Sequence, residues 1–139
     1  MAAGRWLPRD TLQTLLTIKH TSILDSLTAA CTRGGWDAAL ERYRWFTDNN
    51  FHNKYRYGVG ALNQVGYQLM GDGHVADALR AFRLNVEEYP ADWNVFDSYG
   101  EACMKAGMKE LAIESYERAP ALDPSQENPR KMLQQLRQQ

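Results

Sequence analysis

Histidine, cysteine and serine are the side chains that would carry chemistry here, and their spacing decides whether they can. His20, His52 and His74 are scattered, with no His-Glu pair at helical metal-binding spacing and no Cys-x-x-Cys. Ser98 lies in Asp97-Ser98-Tyr99-Gly100, which is not a Gly-x-Ser-x-Gly elbow and reads as the middle of a helix. Cys31 and Cys103 stand on apolar helical faces, without metal-ligand spacing or the count of a secreted disulfide framework. They read as buried free thiols in a reducing cytoplasm. The glycines follow helical patterns and do not open helices after strands, so no phosphate-cradling loop is expected. These residues point to a protein that is not an enzyme, with no catalytic residue, no metal and no cofactor.

The elements that hold these side chains announce themselves by repetition. Residues 59 to 126 carry one pattern twice with a period of 34, which lays Gly66 on Gly100, Met70 on Met104, Gly73 on Gly107, Ala78 on Ala112 and Pro90 on Pro124. Leu62 meets Phe96, Val65 meets Tyr99, Leu79 meets Ile113 and Phe82 meets Tyr116. Each matched position has a physical task. Gly66 and Gly100, with Ala78 and Ala112 facing them, let two helices approach closely. Gly73 and Gly107 sit where a first helix ends and the chain turns, a place that favours positive φ. Pro90 and Pro124 stop the second helix, because a proline ring cannot be continued into it.

Written as a pattern, the second copy is Phe96-x-x-Tyr99-Gly100-x-x-Cys103, Gly107, Ala112-x-x-x-Tyr116, Pro124, and the first is Leu62-x-x-Val65-Gly66-x-x-Leu69, Gly73, Ala78-x-x-x-Phe82, Pro90. Both resemble the tetratricopeptide repeat (TPR), departing from it at Leu62, where an aromatic is usual, and at Leu69 and Cys103, where Tyr is usual. The fold expected is an all-α superhelix of helical hairpins. Two hairpins cannot cover their own faces, so further units are required. Residues 10–51 supply an N-terminal helix, capped by Asp10 and running to Thr32 or breaking near Thr21-Ser22, and a degenerate repeat marked by Leu27, Gly34-Gly35, Ala39-Leu40 and Tyr43. Repeats follow at 59–92 and 93–126. A capping helix at 127–139, entered at Ser125 or Gln126, bears Met132, Leu133 and Leu136 as its apolar stripe, and the whole reads as one domain. Pro120 conflicts with its place in a second helix. It would remove a donor and crowd the Tyr116 carbonyl at a cost of about 3 kcal/mol, so a kink or an early end is expected near Ala119.

Composition excludes other classes. The chain has 139 residues, 44% hydrophobic and 24% charged, and a formal net charge of −1, which gives no electrostatic case for nucleic acid or an acidic membrane. No apolar run approaches the roughly 18 residues of a membrane span, and residues 1–9 lack the apolar run of a secretory signal. The stretch between Asp48 and Val59 exceeds the repeat by about five residues and reads as a loop or irregular turn. Its Phe51, Tyr55 and Tyr57, with Lys54 and Arg56, fit a cover over the seam between the first two repeats better than a base-stacking platform.

The resemblance also implies where binding would occur. In such repeats the first helices line an inner groove, which here selects Asn63, Tyr67 and Met70 from one copy and Asn94, Asp97, Glu101 and Lys105 from the next. Some TPR domains hold the acidic C-terminus of chaperones with Lys, Arg and Asn. Asp97 and Glu101 stand where those cations would be wanted, so a neutral or basic protein or peptide segment is the expected partner, with a homodimer as the alternative. The runs Phe82-Arg83-Leu84-Asn85-Val86-Glu87 and Asn94-Val95-Phe96-Asp97-Ser98, with Tyr89-Pro90 between them, resemble the repeat segment at the C-terminal end of many bacterial serine hydrolases. The likeness spans roughly residues 24 to 136 and omits the hydrolase core. It implies a bacterial chain that is free-standing or an accessory tail.

Overall fold

The computed structural model describes residues 23–48 and 59–139, and all regular structure among them is helical. The expected helix from Asp10 and the aromatic stretch Phe51 to Tyr57 lie outside the described residues. Six helical segments follow one another: α1 (Ile23–Asp48), α2 (Val59–Gly71), α3 (Val75–Glu88), α4 (Trp93–Lys105), α5 (Lys109–Leu122) and α6 (Glu127–Gln138). Each packs on its neighbours in the chain, with α2 on α3 and α4 on α5 as the closest pairs.

The turns follow from glycine. At the end of α4 the Met108 N–H bonds to the Cys103 carbonyl (2.9 Å) and the Gly107 N–H to that of Met104 (3.0 Å). This double closure needs a left-handed residue between helix and exit, which Gly107 supplies at φ 74°. The end of α2 repeats it, with His74 bonded to Leu69 (2.8 Å) and Gly73 to Met70 (3.2 Å). Within α1 the break falls at Gly35, whose φ of 74° and ψ of −171° lie in a region open essentially to glycine alone. Leu27 and Cys31 before the break and Ala39, Tyr43 and Phe46 after it enter one buried cluster. Both arms of the degenerate repeat therefore close on the same core.

Close approach explains Gly66 and Gly100. A Cβ on Gly66 would come within 2.6 Å of the Phe82 ring, and one on Gly100 within 2.9 Å of the Tyr116 ring. The aromatic of each second helix thus lies against the bare backbone of the first. Ala78 and Ala112 are fully buried across the same interfaces. Helices α3 and α5 end at Glu88 and Leu122, two residues before Pro90 and Pro124. Asp92 opens α4 by accepting the Asn94 N–H at 2.9 Å. The capping helix starts at Glu127 as expected. Leu136 is buried there, with Met132 and Leu133 packed beside it against Cys103, Ala112 and Tyr116.

Pro120 does not bring the early helix end that its sequence context suggests as one outcome. Helix α5 does not end near Ala119 but runs on to Leu122, and the Asp123 N–H reaches back across the proline to the Ala119 carbonyl at 3.0 Å. Pro120 falls in the last turn, so its missing donor costs one bond to the Tyr116 carbonyl and the ladder resumes beyond it.

Candidate functional site

Helices α2, α4 and α6 are joined along one face by polar side chains. The chain of bonds begins in the interior, where Asn85 of α3 donates its amide to Asn63 Oδ1 at 2.9 Å. Asn63 Nδ2 donates to Ser98 Oγ at 3.2 Å, crossing from α2 to α4. The Tyr67 hydroxyl lies 3.3 Å from Ser98 Oγ and 2.9 Å from Glu101 Oε2. It has one proton, and the charged carboxylate at the shorter distance takes it, leaving the Ser98 hydroxyl free to donate toward the Tyr67 oxygen. Glu101 Oε1 pairs with Lys105 Nζ at 3.4 Å, one turn along α4. Beside this chain Asn128 of α6 donates to both oxygens of Asp97, at 2.9 and 3.2 Å.

Depth separates these groups. Asn63 is only 8% exposed and is a strut in the wall, not a surface contact as its helical position suggests. Tyr67 is 40% exposed, yet its ring is fixed edge-on to Phe82 with centroids 5.0 Å apart and an interplanar angle of 78°. Five residues expected at the groove, Asn63, Tyr67, Asp97, Glu101 and Lys105, thus meet in two adjoining bonded groups. Met70 packs against the first core cluster instead. Asn94 sits at the start of α4, half-buried, with its backbone amide held by Asp92.

Three participants escaped the sequence reading. Ser98 suggests a nucleophile by its type alone, whereas the steps from Asn94 to Ser98, Glu101 and Lys105 place it on the same helical stripe. Asn128 stands one period of 34 beyond Asn94 and could have been found by extending the register into the capping helix. Asn85 gives no such signal, since only packing brings it to Asn63.

The electrostatics are those of a half-buried acidic face. Burial raises the Asp97 carboxyl above its ordinary value, the Asn128 bond opposes this, and the neighbouring Glu101 charge adds to it. Burial likewise pushes the Tyr67 hydroxyl up to about 12, with the Ser98 bond opposing and Glu101 reinforcing. Tyr116 is raised by burial first, and then by Asp97, Glu101 and Tyr67. Both cysteines are buried free thiols, and burial with Asp77 nearby lifts Cys31 to about 11, which keeps it protonated and unreactive. Among the described residues no group of His, Cys, Asp and Glu could hold a metal ion, and no helix is long and apolar enough to cross a membrane. His74 is exposed in the turn between α2 and α3.

No protein-family model and no curated protein matches the chain. Among solved structures it is similar to the first TPR of Spaghetti (RPAP3) bound to HSP90 peptide SRMEEVD, with 18% sequence identity, a TM-score of 0.57, and coverage of 84% of this chain and 88% of that one. At that identity the likeness shows the fold: an all-α array of TPR-like helical hairpins.

Proposed function

We propose that this chain is a non-catalytic scaffold that binds a neutral or basic segment of a protein or peptide along the face shared by α2, α4 and α6. Exposed Tyr67 carries this reading. A large aromatic side chain in contact with water normally costs ordering entropy when it meets a partner. Here Phe82, Ser98 and Glu101 have already fixed it, so that cost falls on folding and not on binding. The solved TPR holds a peptide containing two Glu and an Asp, SRMEEVD. The corresponding charge on this face is acidic, which supports a partner of the opposite kind.

The test is binding of capped peptides of neutral, basic and acidic composition to the wild-type chain and to Tyr67→Ala, followed by fluorescence anisotropy. Binding of neutral or basic peptides that Tyr67→Ala weakens about ten-fold supports the groove, and equal binding by both proteins refutes it. Light scattering on the same samples reads self-association: a dimer lost in Tyr67→Ala would make the face an interface between copies. The resemblance of two runs to the repeat segment at the tails of bacterial serine hydrolases favours a second reading, an accessory segment docking on such an enzyme through the same face. The buried free thiols suit a reducing cytoplasm.

A further inference from the structure

Resting on the binding reading above, we propose that the second repeat holds a lysine-recognition site. Asp97, Glu101 and the Tyr116 hydroxyl oxygen would receive the side-chain ammonium of a peptide partner, and the exposed Tyr67 ring would pack along its methylene stem.

Two independent observations converge on it. The first is the Tyr116 hydroxyl. Tyr116 is 1% exposed, and its hydroxyl makes no hydrogen bond among the described residues. Its side chain is almost wholly buried, so this hydroxyl is left to solvent or to a ligand at the little surface it keeps. Its ring crosses Gly100, where a Cβ would stand 2.9 Å from both Cε1 and Cζ, the carbon that bears the hydroxyl. Gly100 is three residues from Asp97 and adjacent to Glu101, so the ring lies across the helix that carries both carboxylates. Asp97, Glu101 and the Tyr67 hydroxyl all act on its proton. The equivalent ring of the preceding repeat is Phe82, which delivers no such oxygen.

The second observation is uncompensated charge. Lys105 pairs with Glu101, whereas Asp97 is met only by the neutral amide of Asn128, and no cation among the described residues offsets it. One negative charge is left, which one ammonium would balance. An ammonium also suits the geometry better than a guanidinium. Asn128 already occupies both Asp97 oxygens, removing the side-by-side acceptors that a planar fork needs, whereas three diverging N–H groups can reach three separate acceptors. Tyr67 then offers its face to the stem and charge of the incoming lysine.

The probe is a fluorescein-labelled, amidated peptide of repeating Ala-Lys-Ser, compared by anisotropy with the same peptide carrying Gln or Glu for Lys, on the full chain. The lysine peptide should bind at least about ten-fold more tightly than the glutamine peptide. The double variant Asp97→Asn/Glu101→Gln should erase that preference. Tyr116→Phe, whose ring is already tolerated as Phe82 in the preceding repeat, should weaken the lysine peptide by about three-fold. A remote double variant with the same loss of charge, Glu88→Gln/Glu110→Gln, should bind as wild type does. Equal binding of the lysine and glutamine peptides, or equal losses in the two double variants, would overturn the lysine site. The scaffold reading survives those results if Tyr67→Ala still weakens the glutamine peptide. No binding of any peptide up to about 1 mM would overturn both.

Discussion

The two clear repeats solve one packing problem with different chemistry. In the first, Phe82 lies against Gly66 and the face above it carries Asn63 and Tyr67; in the second, Tyr116 lies against Gly100 and the matching positions carry Asp97 and Glu101. The apolar scaffold is almost interchangeable between them, whereas the polar face changes from amide and phenol to two carboxylates. Residues 34 apart also meet each other, since Tyr67 donates to Glu101 across the seam. The first repeat thus spends its polar groups inside, on Asn85 and Ser98, and the second leaves charge at the surface. The difference teaches that fold and specificity reside on separate side chains even within a single unit of 34 residues.

The largest test of that separation removes the rings. Phe82→Ala and Tyr116→Ala should each destabilise the chain by about 3 to 5 kcal/mol in urea unfolding, because both rings are buried against bare backbone. Tyr116→Phe should change stability far less, since only the hydroxyl differs. A similar loss for Tyr116→Phe would mean that the oxygen has a structural task and would break the comparison.

Filling the contact itself should come next. Gly66→Ala forces a Cβ to 2.6 Å from the ring and Gly100→Ala to 2.9 Å. Overpacking of this kind costs about 1 to 3 kcal/mol, partly offset by the roughly 1 kcal/mol that alanine gains over glycine in a helix. Gly66→Ala should therefore be the worse of the two, and the reverse order in melting temperature would show that the second repeat is the tighter.

Asn63→Ala removes the acceptor of one Asn85 amide bond and a donor to Ser98, for an expected loss of about 1 to 3 kcal/mol. Its register partner Asp97 should respond with the opposite sign. The folded chain holds the Asp97 proton above the ordinary carboxylate value, chiefly through burial. Between that ordinary value and the raised one, the folded state binds more protons than the unfolded state. Stability from this group consequently falls as pH rises through the window, and the cost is complete above it. Asp97→Asn should be more stable than wild type near pH 7 in urea unfolding, and that advantage should vanish near pH 3. An advantage that persists in acid would assign the gain to something other than the charge.

The sequence by itself determined the hairpins, their order and their ends. Those depend on local rules: a 34-residue register, glycine at φ positive turns such as Gly73 and Gly107, and prolines at Pro90 and Pro124 that a helix cannot absorb. Even the degenerate repeat was legible, because Gly35 adopts a backbone conformation that other residues avoid. Pro120 marks the limit of such rules, since its cost depends on how near the helix end it falls, and it falls in the last turn. The proposed binding face was legible only as a direction. Helical spacing says which way Asn63, Asp97 and Glu101 point but not how deep they lie, so Asn63 faces the groove by spacing and is a buried strut by depth. The tertiary structure alone decided that Asn85 reaches Asn63, that Asn128 takes both oxygens of Asp97, and that the Tyr116 ring lies against Gly100. Depth and partnership between helices are set by side-chain volumes on three elements at once, and no single stretch of sequence carries that sum.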